Sequence, residues 1–158
     1  MTDVAAPPGL SWSHVGLNCR DQGRTEEFYR RWFGFERARA FDIGGGQQIV
    51  FLRNGEALLE LFPAAGRPAP PATDDGPRQA GTARHLAFHT DDVDAFLARI
   101  GGDAPVSLGP VDFDDFIPGW RSVWLTDPDG VVVEVSQGYR DGDPPSDPPS
   151  DTPSDPRS

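Results

Sequence analysis

Four residues in this sequence have the types and the placement of metal ligands. Glu60 lies in EALLELF, where alternate residues of a strand share a face and neither face is polar. Glu134 repeats this situation in GVVVEVS. An isolated carboxylate in such surroundings costs several kcal/mol unless it is neutralised, paired or bound to a metal. His14 and His85 each begin a short alternating segment in which small residues on the same face leave open space beside the imidazole.

Each of these residues also has an ordinary structural explanation. A single His in a strand is more often a hydrogen-bonded core or surface residue, and a single Glu in an apolar strand often marks an edge that faces water. One His and one Glu recur at matching positions, however, and this favours ligands. Two imidazoles and two carboxylates suit Ni, Zn, Co, Mn or Fe in a site with open positions. Cys19 alternates to the face opposite His14, so we do not expect it to be a ligand.

The elements that must position these residues occur twice along the chain. SHVGLNCRD opens one half and RHLAFHTDD the other, and in each an Asp (Asp21, Asp92) follows the His by seven residues and can cap a helix. The helices RTEEFYRRWFG and VDAFLARIGG end at glycines, and the last strands follow turns at Asn54-Gly55 and Asp129-Gly130. Further strands are predicted over 35–43, 47–53, 105–113 and 121–126. The paired His lie 71 positions apart and the paired Glu 74, which indicates an internal duplication.

Composition divides the chain and limits its functions. Two modules are predicted, 12–62 and 83–139, with a Pro/Gly-rich linker over 63–82 and a Pro/Ser/Asp tail over 140–158 that we expect to be disordered.

The formal net charge of −11 argues against nucleic acid as a partner. No apolar run approaches the roughly 20 residues that span a bilayer, and no secretion signal is evident, so we expect no membrane partner and a cytoplasmic protein. One cysteine excludes an intrachain disulfide.

Together these segments resemble the vicinal oxygen chelate superfamily, which includes glyoxalase I, extradiol dioxygenases, epimerases and bleomycin or fosfomycin resistance proteins. The resemblance covers roughly residues 12–139 and rests on HVGLNCRD, FYRRWFGFE, LLELF, RHLAFHTDD and LTDPDGVVVEVSQGY. It implies an α+β fold in which two tandem βαβββ modules form an open, cup-shaped mixed β-sheet barrel. It also implies that the first and last strands of each module hold the metal, with His14, Glu60, His85 and Glu134 as ligands.

The two-His, two-Glu set is similar to that of glyoxalase I, which implies a lyase or isomerase. In such an enzyme a divalent metal stabilises an enediolate while Glu60 or Glu134 transfers a proton. Three alternatives stay open: an Fe(II)-dependent extradiol-type dioxygenase, an epimerase, and a non-catalytic small-molecule binding or resistance protein. The resemblance also implies a homodimer, and the linker permits metal cups formed within one chain or by exchange between two.

The substrate is expected to be a small molecule, and the resemblance gives no anchor pattern for it. Asn18 and His89 lie farther along the same strand faces as the His ligands. They either contact substrate or are simply polar residues near the rim of the metal cup. The acidic, aromatic segment GPVDFDDFIPGWRS (109–122) is either a lid over the substrate or an ordinary surface hairpin. Its candidate substrate contacts are Phe116, Trp120 and Arg121. Three arginines, Arg20, Arg24 and Arg121, are candidates for receiving an anionic substrate or are simply solvated.

Overall fold

Two copies of a βαβββ unit follow one another in the computed structural model, which describes residues 9–67 and 72–138. The elements are β1 Val15–Cys19, α1 Gln22–Phe33, β2 Glu36–Gly44, β3 Gln47–Asn54, β4 Ala57–Pro63, β5 Leu86–His89, α2 Val93–Ile100, β6 Val106–Asp112, β7 Arg121–Thr126 and β8 Val132–Gln137. We call β1–β4 with α1 module 1, and β5–β8 with α2 module 2. Each module has a four-stranded mixed sheet, ordered β1-β4-β3-β2 and β5-β8-β7-β6. The predicted α+β fold is confirmed, and both sheets are open.

The helices are capped by the predicted aspartates and end at the predicted glycines. The side chain of Asp21 accepts a hydrogen bond from the backbone N–H of Arg24 (3.1 Å), and Asp92 does the same for Ala95 (2.9 Å), so both helices carry an N-cap. Because the cap is Asp21, α1 begins at the residue after it, two positions before the segment RTEE. It ends at Gly34, whose φ of 69° is the left-handed conformation that favours glycine.

The strand connections also follow the predicted turns. β3 extends through Asn54, so the two residues of the first hairpin loop are Gly55 and Glu56. Between Pro63 and Leu86, the described residues contain no helix or strand. The predicted tail lies outside the described residues. Neither described helix is long and apolar enough to cross a membrane.

The two modules share one hydrophobic core, formed by the helices and by the sheet faces that they cover. The ring of Phe33 at the end of α1 lies 5.4 Å from the ring of Phe88 in β5 and 6.1 Å from that of Phe96 in α2. Buried leucine and valine side chains of β3, β4, β7 and β8 belong to the same cluster. Since side chains alternate along a strand, Glu60 and Glu134 point to the opposite sheet faces, away from this core. We call these the ligand faces.

Candidate metal centre

His14 and Glu60 form a pair on the ligand face of module 1. β1 and β4 are parallel neighbours with Gly16 opposite Glu60, and His14 immediately precedes β1. The imidazole Nε2 therefore lies 2.9 Å from Oε2 of Glu60. Nδ1 of His14 is 2.9 Å from the Ser13 hydroxyl, and Phe51 of β3 meets the imidazole edge-on, with 6.1 Å between ring centroids. The His14 side chain is 37% exposed and that of Glu60 16%, so this pair is open to solvent.

Module 2 repeats the pair with His85 and Glu134. Nε2 of His85 lies 2.8 Å from Oε2 of Glu134, and the side chains are only 23% and 9% exposed. Nδ1 of His85 lies 2.8 Å from the carbonyl oxygen of Asp75. Because a carbonyl can only accept, Nδ1 must carry a hydrogen, and this leaves Nε2 directed at the carboxylate. A ligating histidine is commonly oriented by such a bond from its other nitrogen.

The second oxygen of Glu134 is held by a short chain of hydrogen bonds. The Ser122 hydroxyl donates to Oε1 of Glu134 over 2.7 Å, and the indole N–H of Trp120 donates to the Ser122 oxygen over 3.1 Å. Trp124 stands opposite Glu134 in the β7–β8 register, and its indole nitrogen is buried with no hydrogen-bond partner in the described part of the chain. A buried N–H without a partner is uncommon, because most buried donors are hydrogen-bonded.

The donor chemistry fits a divalent metal, but one chain supplies it as two separate pairs. Across residues 9–67 and 72–138, no three His, Cys, Asp or Glu side chains lie close enough together to hold a metal ion. Each pair offers one imidazole nitrogen and one carboxylate oxygen, and both atom types are ligands for divalent metals. The Cys19 thiol is buried on the core side, where burial raises its pKa to about 11, as expected for a residue that is not a ligand.

The predicted substrate residues are only partly gathered near these pairs. Asn18 is exposed beside Phe62 in the β1–β4 register, and His89 is exposed opposite Ser136. Arg121 forms ion pairs with carboxylates in β6 and α2, at 2.6 and 3.2 Å, which makes it a weak candidate for receiving an anion. The other two predicted arginines lie near carboxylates as well: Arg20 is 3.0 Å from Asp129 and Arg24 is 3.8 Å from Asp21.

The segment proposed as a lid packs against the ligand face of module 2. Phe113 and Trp120 stack with 4.6 Å between ring centroids, and Phe113 meets the buried Trp124 edge-on at 6.2 Å. A backbone bond from Phe113 N–H to the Trp120 carbonyl (2.8 Å) closes the loop between them. Phe116 at its tip is 76% exposed. This loop therefore covers part of the surface beside Glu134.

Sequence reasoning missed four residues that the structure brings to these faces: Asp75, Ser122, Arg39 and Arg53. A polar residue two positions before Trp124 in an otherwise apolar strand was a usable signal for Ser122. The Asp75 carbonyl left no signal, because a backbone acceptor carries none.

The two βαβββ modules and the His–Glu pair that each contains define the class of protein. Residues 11–135 match the Glyoxalase/Bleomycin resistance protein/Dioxygenase superfamily, and the chain belongs to it.

Three relatives illustrate the similarity. Protein YaeR of Escherichia coli K12 is 29% identical over 127 residues, which cover 77% of this chain and 92% of YaeR. The crystal structure of lactoylglutathione lyase from Agrobacterium tumefaciens is 29% identical with a TM-score of 0.56, covering 84% of this chain and 96% of that one. The fosfomycin resistance protein FosX of Listeria monocytogenes, complexed with Mn(II) and sulfate, is 19% identical with a TM-score of 0.57, covering 85% and 95%, and shares the fold.

Proposed function

We propose that this chain is a metal-dependent enzyme of the lyase or isomerase type that acts on a small carbonyl compound. The observation that carries the proposal is the His85–Glu134 pair, in which the Asp75 carbonyl fixes the imidazole so that Nε2 faces a largely buried carboxylate at 2.8 Å. The pair of His14 and Glu60 repeats this arrangement in module 1. A divalent metal held by the four side chains would polarise the substrate carbonyl as a Lewis acid.

The two carboxylates are suited to different roles. Both oxygens of Glu134 are engaged, one by Ser122 and one by His85. Oε1 of Glu60 has no hydrogen-bond partner among the described residues, and its side chain is the more exposed of the two. We therefore assign proton transfer to Oε1 of Glu60, which takes a proton from the carbon beside the carbonyl and returns it to the neighbouring carbon.

A complete ligand set requires the pairs of two modules to meet. Within one chain the modules share a core on their helix sides, so the ligand faces point away from it. We propose a homodimer in which module 1 of one copy faces module 2 of the other. Phe41 and Ile43, half-exposed at the edge of module 1, fit such a contact because a second copy would remove their apolar surface from water.

Metal titration of chelator-treated protein tests the ligand set. Ni, Co, Zn, Mn and, anaerobically, Fe(II) are added separately, and stoichiometry is measured by calorimetry. We expect one metal per chain for the wild type, a loss of about tenfold or more in affinity for Glu134→Gln, and no change for the matched surface control Glu56→Gln. If Glu134→Gln binds metal as tightly as the wild type, Glu134 is not a ligand. Oxygen uptake that requires Fe(II) would assign an oxygenase instead.

Mixing two inactive variants tests the sharing of the site between copies. In a mixed dimer of His14→Ala and His85→Ala chains, one site carries both substitutions and the other carries neither. We expect metal binding and turnover to return in the mixture, up to the fraction of intact sites. If all four ligands came from a single chain, mixing would restore nothing. Sedimentation velocity gives the oligomeric state of each sample and confirms that dimers are present.

A further inference from the structure

Module 1 carries an open depression of about 340 Å³ on its ligand face, beside Glu60. Its walls are formed by side chains of β2, β3 and β4: Ala38, Arg39, Phe41, Phe51, Arg53 and Leu58. Arg39, Phe51 and Glu60 stand side by side in the register of these strands, so all three project from the same face. Two strand spacings separate Arg39 from Glu60, about 10 Å. A small molecule of about this length that reacts at Glu60 could therefore extend into the depression.

Two of the residues that line the depression, Arg39 and Arg53, are arginines without a carboxylate partner in the described part of the chain. Seven other arginines of the described chain have a carboxylate oxygen within 4.0 Å: Arg20, Arg24, Arg30, Arg37, Arg78, Arg84 and Arg121. Arg39 and Arg53 have none among the described residues, although Glu36 stands opposite Arg53 in register. The Arg39 guanidinium lies 5.8 Å from the Phe41 ring, and Arg53 makes only a long 3.5 Å bond to the Gly55 carbonyl.

What sets these two arginines apart from the other described arginines without a carboxylate partner is that both line the same depression. The floor between the cations is apolar, formed by Phe51 and Leu58. Guanidinium groups bind planar carboxylates through paired hydrogen bonds, and an apolar floor adds affinity for a hydrocarbon body. The two features together select an organic anion rather than a free inorganic ion or a neutral apolar molecule.

We infer that Arg39 and Arg53 anchor the carboxylate of a substrate whose apolar body lies over Phe51 and Leu58. The inference rests on the proposed function, because it places the non-reacting end of the substrate of that same site. The substrate is then a carboxylic acid with an aromatic or branched aliphatic body. Its reacting carbonyl extends towards Glu60. Arg39 and Arg53 are then binding residues, and the pair determines specificity for the anion.

The test uses phenylacetate as the probe, with phenylacetamide as its neutral counterpart and acetate as the anion without the ring. Binding is followed by calorimetry and by amide chemical shifts of β2 and β3, in the purified protein and after treatment with chelator. The chelated form excludes binding of the carboxylate to a metal. We expect phenylacetate to bind at least about tenfold more tightly than either control compound.

Variants then assign the binding to the two arginines. Arg39→Gln and Arg53→Gln should each weaken phenylacetate binding about tenfold. Arg31→Gln should leave it unchanged, because Arg31 lies on the exposed surface of α1 and, like Arg39 and Arg53, has no carboxylate partner among the described residues. Equal binding of phenylacetamide, or unchanged binding in both β-strand variants, overturns the inference. Circular dichroism of each variant excludes misfolding as the cause of a loss.

The outcomes separate this inference from the proposed function. Protein that binds metal stoichiometrically but not phenylacetate overturns the anion site and leaves the metal centre standing. Protein that binds phenylacetate through Arg39 and Arg53 but takes up no metal supports the anion site and overturns the proposed function. Metal affinity should be the same in Arg39→Gln as in the wild type, because Arg39 lies two strands from Glu60.

Discussion

Asp127 is a buried carboxylate that bonds to both modules. It lies in the turn between β7 and β8 and is 5% exposed. Oδ1 accepts the backbone N–H groups of Asp129 and Val131, both at 2.8 Å. Oδ2 accepts the hydroxyl of Tyr29, a fully buried residue of α1, at 3.2 Å. One carboxylate therefore closes the turn of module 2 and bonds it to the helix of module 1.

Two substitutions of Asp127 should have very different effects. Asp127→Ala leaves two backbone N–H groups and one hydroxyl without their acceptor, and hydrogen bonds to a charged group contribute about 1.5–3 kcal/mol each, not additively. We expect it to lower the free energy of unfolding by about 3–5 kcal/mol. Asp127→Asn keeps an oxygen for the two backbone donors, and its amide can donate to the Tyr29 oxygen. The Asn variant avoids burying a charge, so we expect a change below about 1 kcal/mol at pH 7.

The same burial makes the stability of the wild type depend on pH. Burial raises the pKa of the Asp127 carboxyl above its usual value, with the Asp129 charge acting in the same direction, and the hydrogen bonds only partly oppose this. The folded state thus holds the proton more tightly than the unfolded chain does. The resulting stabilisation is fully present below the unfolded pKa of about 3.9 and is lost as pH rises through the folded pKa. Relative to Asp127→Asn, the wild type should therefore become less stable between about pH 4 and neutrality.

Urea unfolding at pH 4, 5.5 and 7, followed by circular dichroism, measures these differences. Asp115→Asn is the matched control, because it removes an exposed carboxylate from the same module. Its stability should follow that of the wild type at every pH. Two results would refute the reasoning: a pH profile of Asp127→Asn that runs parallel to that of the wild type, or an Asp127→Ala variant that loses less than about 1 kcal/mol.

Two further substitutions test the support of the His85–Glu134 pair. Ser122→Ala removes the 2.7 Å hydrogen bond to Glu134. Metal affinity, measured by competition with a chelator, should then fall about tenfold or more. An unchanged affinity would mean that Ser122 does not position the carboxylate. Gly76→Ala would place a Cβ 1.8 Å from the carbonyl oxygen of Arg84 at a φ of +121°, so the loop must shift and His85 must lose its fixed orientation. We expect weaker metal binding and a lower melting temperature for this variant, and wild-type values for both would contradict the link between loop and imidazole.

Local patterns were sufficient to predict the elements of the fold. Aspartates that cap, glycines that stop a helix and an Asn-Gly turn act through neighbouring residues, so the sequence contains the whole cause. Alternation along β4 and β8 did not identify which face is the core, because neither face of these strands is polar; the structure places Leu59 and Leu61, and Val133 and Val135, in the core and thus Glu60 and Glu134 on the opposite faces. The family resemblance implied that the first and last strands of each module carry the ligands, and in the structure each of these Glu residues lies within 2.9 Å of the His of its own module.

The anion site could not be predicted in this way, because it depends on an irregularity in a strand. Simple alternation along β2 would place Arg37 and Arg39 on the same face. The β2–β3 register shifts between them, so Arg37 stands opposite the buried Leu52 and Arg39 opposite Phe51 of the ligand face. Arg37 accordingly bonds to Glu26 of α1, on the core side. Bulges of this kind redirect a side chain without a sequence signal that identifies them in advance.

The two modules repeat one unit but now differ from each other. This difference accounts for the proposed division of roles, in which Glu134 is a fixed ligand and Glu60 transfers the proton. A repeated module gives each half one imidazole and one carboxylate, which is half of a four-ligand set. In module 2 the carboxylate is 9% exposed and bonded through both oxygens, beside a loop of stacked aromatics. In module 1 it keeps an oxygen without a hydrogen-bond partner, next to an open depression lined by two arginines without a carboxylate partner, as far as residues 9–67 and 72–138 show. Rigid ligation and proton transfer make opposite demands on a carboxylate, since one needs a fixed, saturated group and the other an accessible oxygen. In the proposed dimer, module 1 of one copy meets module 2 of the other, and the shared site would satisfy both demands.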